Sequence, residues 1–202
     1  MKLLIVESPN KTKTIAGFLG AGWSVKASVG HITELASDGD DNLGFDITKS
    51  GVSCRYVPRG DRGAKVIKDL RALAQKAEIV YLATDPDREG ESISWHLKEQ
   101  LGLEDGRYRR ITYTQITEAA VKTAIDQSRD LDMDLIRAQF ARQTLDKLVG
   151  FKASRLVQRA SAGQARSAGR VQSAALHIVC QREREIQGFK PVPYWSVQAE
   201  YK

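Results

Sequence analysis

The sequence predicts an α/β fold, a mainly parallel sheet flanked by helices, followed by a mostly α-helical partial domain. Over the first 113 residues, short apolar runs typical of buried strands alternate with patterns typical of amphipathic helices. Strands that are separated by helices form a parallel sheet covered on both faces. From Ile116 onward the strand signal disappears. We therefore predict one domain over residues 1–115 and a second, partial domain over residues 116–202.

Periodicity and capping signals define the individual elements. Helices begin after residues that can cap them, such as Ser8 and Thr117, and end at glycines such as Gly20 and Gly102. The predicted strands are residues 2–6, 23–29, 79–83, 109–113 and 194–201. The predicted helices are residues 9–19, 61–77, 90–101, 118–125, 133–149 and 170–186. The segment 30–60 is rich in Gly, Asp and Ser, and it is predicted to be irregular.

The composition indicates a globular protein with a polyanionic partner. Hydrophobic residues make up 42% of the chain and charged residues 28%, which is ordinary for a soluble protein. The sequence has no run of 18 apolar residues and no signal peptide, so we expect a cytoplasmic location without membrane contact. Thirty-one Lys and Arg against 25 Asp and Glu give a net charge of +6. The positive charge is concentrated in residues 137–170, which suggests bound nucleic acid.

The most informative segment is an acidic stretch, Ala-Thr-Asp-Pro-Asp-Arg-Glu-Gly-Glu, at residues 83–91. Asp85, Asp87 and Glu89 alternate, so an extended backbone would direct all three carboxylates to one side. Carboxylates about 4 Å apart repel by roughly 4 kcal/mol at an effective dielectric of about 20. A hard cation such as Mg²⁺ relieves this repulsion. A solvated acidic loop is the alternative, but the position between a strand and a helix favours a Mg²⁺ site.

A second carboxylate, Glu7, is expected at the same place. In open parallel sheets, ligands gather beyond the carboxyl ends of the strands. Glu7 ends the first predicted strand and Asp85 follows the strand 79–83, so we expect their side chains to meet. Taken alone, Glu7 would be interpreted as a strand-end carboxylate that caps the next helix.

Four motifs occur together in this chain. They are Val-Glu-Ser-Pro at residues 6–9, Ser-Val-Gly-His-Ile at 28–32, the acidic stretch, and Ser-Ala-Gly-Arg-Val-Gln-Ser at 167–173. In this combination the chain resembles the amino-terminal region of type IA DNA topoisomerases of the bacterial topoisomerase I kind. The acidic stretch alone would indicate only a Toprim domain, which primases and some nucleases share. The resemblance implies a Rossmann-like Toprim domain followed by part of a helical strand-binding domain.

The resemblance also implies an activity. In this family a tyrosine breaks one DNA strand, holds it as a 5′-phosphotyrosine while another strand passes, and then reseals it. Mg²⁺ is required and ATP is not, and negatively supercoiled duplex DNA is relaxed through a bound single-stranded segment. The nucleophilic tyrosine lies well downstream in the family, and none of the six tyrosines here has its context. We therefore expect a truncated, monomeric chain that binds Mg²⁺ and single-stranded DNA without relaxing DNA.

Site residues follow from the same resemblance. Glu7, Asp85 and Asp87 are implied Mg²⁺ ligands, with Glu89 in the same acidic group. Glu7 is also the implied general acid for the leaving 3′-oxygen, a role that a raised pKa favours. The implied catalytic residues are Glu7, Lys11, Glu89, Arg110 and Arg142. The implied DNA-binding residues are His31, Arg88, Arg142, Asp146, Ser167, Ala168, Gly169, Arg170, Val171 and Gln172.

Some positions depart from the family pattern, and two other functions stay open. Gln115 stands where the family usually has a glutamate, and Gln143 and Phe151 replace the Arg and Tyr that select bases in some members. One alternative is a Toprim nuclease or primase-like enzyme, in which a metal-activated water or a nucleotide hydroxyl attacks instead of a tyrosine. The other is a non-catalytic DNA-binding module. Both fit the motif at residues 167–173 poorly.

Overall fold

The structure is a computed structural model that describes residues 1–49 and 51–202. Its strands are β1 (Lys2–Val6), β2 (Trp23–Ala27), β3 (Thr33–Leu35), β4 (Phe45–Thr48), β5 (Gly51–Cys54), β6 (Tyr56–Pro58), β7 (Ile79–Ala83) and β8 (Tyr108–Arg110). Its helices are α1 (Thr12–Leu19), α2 (Gly60–Lys76), α3 (Arg88–Leu101), α4 (Glu118–Asp126), α5 (Met133–Ala160) and α6 (Arg170–Gly188). Short 3₁₀ turns lie at Pro9–Lys11 and Asp40–Asn42.

Four parallel strands form the central sheet, in the order β2-β1-β7-β8. Successive side chains of β1 point to opposite faces, so each face has its own core. Leu3 packs into a cluster with α2 and α3, and Leu4 packs into a second cluster with α1 and α4. The predicted α/β class, with a mainly parallel sheet flanked by helices, is confirmed.

The chain divides into two compact units, Met1–Leu145 and Asp146–Lys202, with the boundary inside α5. The division after residue 115 that the sequence suggested stays a prediction. Among the described residues, no helix is long and apolar enough to cross a membrane.

The prediction of an irregular segment at residues 30–60 is wrong in part. This segment contains two antiparallel strand pairs, β3 with β6 and β4 with β5. Each strand has only three or four residues, and many of these residues are exposed. The sequence therefore shows no alternation of apolar residues that would predict the strands. Gly44 has a positive φ of 70°, and a Cβ there would lie 2.1 Å from the Ala36 carbonyl oxygen. The close packing of this segment therefore needs a residue without a side chain at position 44, and it depends on pairing between strands.

Two predictions in the second half of the chain are also wrong. Helix α5 continues through Gly150 to Ala160 instead of ending at Val149. One interior glycine costs a helix only about 1 kcal/mol relative to alanine, which good helix formers on both sides outweigh. Residues 189–202, all of them described, contain no strand, and Trp195 is 95% exposed. A single alternating segment without a neighbouring strand does not form a sheet.

An aromatic cluster buries one histidine within the first unit. His96 is 4% exposed, and its ring centroid lies 4.3 Å from that of Tyr56 and 5.6 Å from that of Phe140. Burial, helped by the charge of His31, lowers the pKa of His96 to about 4. The imidazole is therefore neutral in the folded protein near neutral pH.

We expect the free energy of unfolding to fall as the pH decreases from about 6.5 to about 4, because unfolded His96 takes up a proton that folded His96 does not. The loss approaches roughly 3 kcal/mol. Urea unfolding at pH 7 and pH 4.5 measures it, and His96→Phe should remove this part of the acid sensitivity. His177→Gln, which removes an exposed histidine of α6, should not. Equal acid sensitivity in the wild type and His96→Phe would contradict the prediction.

Candidate active site

Two neighbouring strand ends bring Glu7 and Asp85 together. β1 and β7 are parallel neighbours, with Val6 opposite Ala83, so the residues that follow them share one edge of the sheet. Both the charge and the backbone N–H of Asp85 act on the pKa of Glu7, so the two residues lie close together. The expectation that these two residues meet, drawn from the parallel sheet, agrees with this geometry.

The environment of Glu7 favours its protonated form. Partial burial is the main cause that raises its pKa, and the negative charge of Asp85 adds to it. The N–H of Asp85 and the ammonium group of Lys11 act in the opposite direction, and the charge of Glu89 makes a small further contribution to the rise. The net effect is a raised pKa, which is the direction that a general acid requires.

A positive charge lies beside these carboxylates. Lys11 is the last residue of the 3₁₀ turn Pro9–Lys11, and its Nζ lies 3.0 Å from Oδ1 of Asp85. Ser8 caps this turn, since its hydroxyl oxygen accepts a hydrogen bond from the Asn10 N–H. The cap thus fixes the segment that carries Lys11 next to the acidic edge of the sheet.

The chain becomes helical at Arg88, so Glu89 does not lie on extended backbone, and the prediction that three alternating carboxylates share one direction is wrong for Glu89. Asp87 is the N-cap of α3, and its Oδ1 accepts a hydrogen bond of 2.7 Å from the Gly90 N–H. This interaction satisfies a free N–H of the helix and makes the chain turn helical at Arg88. Glu89 therefore lies in the first helical turn, where its Oε1 is 2.9 Å from Nε2 of His31.

The donor groups at this edge suit a hard cation, although they are not gathered into a closed site. Among residues 1–49 and 51–202, no three Asp, Glu, His or Cys side chains form a group that could hold a metal ion. Glu7 and Asp85 supply carboxylate oxygens, the ligands that Mg²⁺ prefers. Burial is the main cause of the raised pKa of Glu7, and a cation would relieve the second cause, repulsion by Asp85. The chemistry of the residues therefore fits Mg²⁺.

Arg110 is a buried residue that contacts the backbone of the acidic site. Its side chain is fully buried, and its Nε donates to the Glu91 carboxylate at 3.0 Å. The same guanidinium donates to the carbonyl oxygens of Thr84 at 2.8 Å and Asp85 at 2.7 Å. Arg110 thus holds the backbone that carries Asp85, which makes it a positioning residue in this geometry. Its implied direct role in catalysis stays a prediction.

The partners of Arg110 were not identified from the sequence. Two nitrogens of Arg129 each donate to the Glu91 carboxylate at 2.9 Å, and the Asp132 N–H donates at 2.7 Å. Burial acts to raise the pKa of Glu91, but these hydrogen bonds and the charge of Arg110 outweigh it and hold the pKa below its usual range. Glu91 belongs to the acidic stretch, but nothing in the sequence distinguishes it as the buried member. Arg129 is 38 positions away from Glu91, and no sequence pattern indicates that the two residues pair.

Of the remaining implied DNA-binding residues of the first unit, His31 and Arg88 lie at this edge. His31 follows β2 in a loop and contacts Glu89. Arg88 is exposed at the first position of α3, and it has no ion-pair partner among the described residues. Arg142 lies on α5.

In the second unit, the motif at residues 167–173 includes the start of α6 and forms hydrogen bonds with α5. Arg170 binds the Asp146 carboxylate through two hydrogen bonds, of 2.7 and 2.9 Å. Gly169 is the N-cap of α6, and Gln172 donates to the Ser167 hydroxyl at 3.1 Å. The Ser154 hydroxyl bonds to both backbone groups of Ala168, each at 3.0 Å. Val171 is exposed at the start of α6.

A cavity of about 520 Å³ lies next to this motif, entirely within the second unit. Ser167 and Ala168 line it, together with the basic side chains of Lys147, Arg155 and Arg166. Its volume lies in the range of small-molecule sites, roughly 300–1,000 Å³. A basic cavity of this size can accept part of a nucleic acid strand.

The surroundings of Tyr113, including the acidic site, make its hydroxyl harder to ionise. Burial and the charge of Asp85 raise its pKa to about 12, and its hydroxyl has no hydrogen-bond partner within the described part of the chain. Burial also raises the pKa of Tyr56 and Tyr108. A raised pKa makes the nucleophilic phenolate rare, so these tyrosines are poor nucleophiles near neutral pH.

Comparison with known proteins agrees with the fold. Residues 2–116 match the Toprim domain family, which defines the class of this protein. Residues 130–202 match the family described as DNA topoisomerase. The structure of full-length topoisomerase I from Thermotoga maritima is similar, with 39% sequence identity and a TM-score of 0.75 over 93% of this chain. The chain therefore belongs to the type IA DNA topoisomerases, and it spans 31% of that relative's length.

Proposed function

We propose that this chain supplies the acidic catalytic site and part of the strand-binding surface of a type IA topoisomerase. The whole protein relaxes negatively supercoiled DNA through a transient 5′-phosphotyrosine, with Mg²⁺ and without ATP. One observation carries the proposal: a carboxylate of raised pKa, Glu7, lies with Asp85 and a lysine at two adjacent strand ends. That set of groups serves phosphoryl transfer, which needs a proton donor and charge neutralisation around one phosphate.

Each of the three groups has a distinct task in this proposal. Lys11 binds the scissile phosphate, since its ammonium group is a compact charge suited to a phosphate oxygen. Glu7 gives its proton to the leaving 3′-oxygen and takes it back when the strand is resealed. Arg110 keeps the backbone of Asp85 in place from below.

The proposed Mg²⁺ ligands are Glu7, Asp85 and Asp87, with Glu89 in the same acidic group. Asp87 uses one carboxylate oxygen to cap α3, which leaves the other for a ligand. Bound Mg²⁺ supplies Lewis-acid stabilisation of phosphate charge. Lys11 now neutralises Asp85, so cation binding and the Lys11–Asp85 contact compete.

The strand-binding surface is proposed from the loop at residues 167–172 and from basic side chains. The small residues Ser167, Ala168 and Gly169 let a nucleic acid backbone approach closely. Arg170 and Gln172 offer a cation and an amide for phosphate and base contacts. The other proposed DNA contacts are His31, Arg88, Arg142, Asp146 and Val171.

For the 202-residue chain alone, we expect Mg²⁺ binding and single-stranded DNA binding without relaxation of supercoiled DNA. Calorimetry measures Mg²⁺ binding, which Asp85→Asn should weaken. Fluorescence anisotropy measures oligonucleotide binding, and agarose gels measure relaxation. A denaturant-stable protein–DNA adduct formed through a tyrosine of this chain would overturn the expectation. Mg²⁺-dependent nicking without an adduct would instead favour a Toprim nuclease.

The role of Lys11 is tested by a matched pair of variants. Lys11→Gln should weaken single-stranded DNA binding about tenfold, equivalent to about 1.4 kcal/mol, because a phosphate loses its cation. Lys13→Gln removes the same charge from an exposed position two residues away and should change affinity much less. Anisotropy at fixed salt gives both values. Equal losses in the two variants would contradict a specific phosphate contact at Lys11.

A further inference from the structure

A small cavity close to the acidic site has no role in the function proposed so far. It lies within the first unit, has a volume of about 200 Å³, and is formed by the loop that follows β2 and the first turn of α2. Sites for drug-sized ligands are larger, roughly 300–1,000 Å³. The cavity therefore suits a small group such as one phosphate.

A buried hydroxyl without a partner lines this cavity. Ser28 is 2% exposed, and its Oγ has no hydrogen-bond partner among residues 1–49 and 51–202. Its backbone is fixed, since the Ser28 N–H donates to the Val6 carbonyl oxygen at 2.9 Å. Buried hydroxyl groups are almost always hydrogen-bonded, because an unpaired one costs free energy. The free hydroxyl indicates a ligand that carries an acceptor.

The opposite wall of the cavity is the amino terminus of a long helix. α2 has 17 residues, and no side chain caps its first turn. Such a terminus attracts anions through its free N–H groups and its dipole. The wall is preformed: the Arg59 N–H donates to the Ile32 carbonyl at 2.9 Å, and a Cβ on Gly63 would lie 2.8 Å from the same oxygen.

Two arginines add positive charge. Arg59 and Arg62 both line the cavity, and no carboxylate does. Arg59 is 3.9 Å from Glu34, a weak surface pair. The Arg62 side chain has no ion pair or hydrogen bond with any described residue, so its guanidinium is free to bind an anion. Asp61 also lies in the first turn of α2, but it is not part of the lining.

We propose that this cavity binds a backbone phosphate of the DNA strand, next to the phosphate that is cleaved. The Ser28 hydroxyl, the free N–H groups of α2 and the Arg62 guanidinium are the donors. His31 links the two places, because it lines the cavity and also contacts Glu89 of the acidic site. This inference rests on the proposed function, since DNA supplies the phosphate. Inorganic phosphate has the same chemistry and serves as the second probe.

The first experiment compares Arg62→Gln with Lys68→Gln, which removes the same charge from an exposed position of α2 outside the cavity. Single-stranded oligonucleotide affinity is measured against salt concentration. One lost phosphate contact lowers the slope of log K against log salt by about 0.7 for single strands. We expect this change, with a several-fold loss of affinity, for Arg62→Gln only. Thermal unfolding should be the same for both variants and the wild type.

A second variant separates binding from folding. Ser28→Ala removes the unpaired hydroxyl, so its unfolding temperature should equal or exceed that of the wild type, while its affinity for the oligonucleotide falls. Amide NMR shifts of Ser28 and Gly63 during titration with inorganic phosphate report the same cavity directly. These shifts should appear in the wild type and weaken in Arg62→Gln.

The outcomes distinguish the two proposals. If the wild type binds DNA and Arg62→Gln behaves like Lys68→Gln, the cavity inference is overturned and the proposed function stands. If the wild type binds no DNA but phosphate shifts Ser28 and Gly63, the proposed DNA function fails and the cavity is a site for a free anion only. If neither probe binds, both are overturned.

Discussion

Arg110→Ala is expected to lower the free energy of unfolding by about 3–5 kcal/mol, because it breaks a buried ion pair by removing one partner. Glu91 is 0% exposed, so its charge would stay buried with Arg129 as its remaining cation. The carbonyl oxygens of Thr84 and Asp85 would also lose their guanidinium donor. Urea unfolding followed by circular dichroism measures the effect.

The neighbouring arginine provides the control. Arg109 is exposed and pairs with Asp130 at 2.9 Å, and surface pairs contribute only about 0–1 kcal/mol. Arg109→Ala should therefore have a small effect. Combining Arg110→Met with Glu91→Leu should recover part of the stability, because no unpaired buried charge remains. A similar loss for Arg109→Ala and Arg110→Ala would show that burial of the pair is not the cause.

Gly90→Ala should lower the free energy of unfolding by about 3 kcal/mol, as overpacking of backbone does. A Cβ at Gly90 would lie 2.1 Å from the Asp85 carbonyl oxygen, so the backbone at Asp85 must move. Helix propensity alone favours alanine by about 1 kcal/mol, so the expected sign is opposite to the intrinsic one. Displacement of Asp85 should also disturb its contact with Lys11, and with it the binding of single-stranded DNA.

Gly17→Ala is the matched substitution. Gly17 lies inside α1, and a Cβ there has nothing within 4 Å. This variant should be stabilised by roughly 0.5–1 kcal/mol. Thermal and urea unfolding of both variants test the pair, and a stabilised Gly90→Ala would refute the close approach to Asp85.

Local signals in the sequence predicted much of the parallel sheet and its helices. Ser8, Thr117 and Gly102 act as caps where the sequence placed them, because capping depends on a few neighbouring residues. The short antiparallel pairs in residues 30–60 escaped prediction, because strands of three or four residues are defined by distant partners. The same limit applies to residues 194–201, whose alternation suggested a strand that no neighbour supports.

In the candidate site, too, some features were predictable from the sequence and others were not. The meeting of Glu7 with Asp85 follows from parallel strands and was predicted. Asp85, Asp87 and Glu89 were predicted to share one direction along an extended backbone, but α3 begins at Arg88 and places Glu89 in its first turn. The ion network of Glu91, Arg110 and Arg129 joins three separate segments, and single-sequence patterns carry no information about such contacts.

The central position of β1 has a consequence for synthesis on the ribosome. β1 is made before β7, yet Leu4 lies between Val25 of β2 and Tyr81 of β7. Sheets that depend on distant pairing assemble slowly and leave unpaired edges open in the meantime. β1 therefore has one edge exposed to wrong partners until β7 has left the exit tunnel and can pair with it.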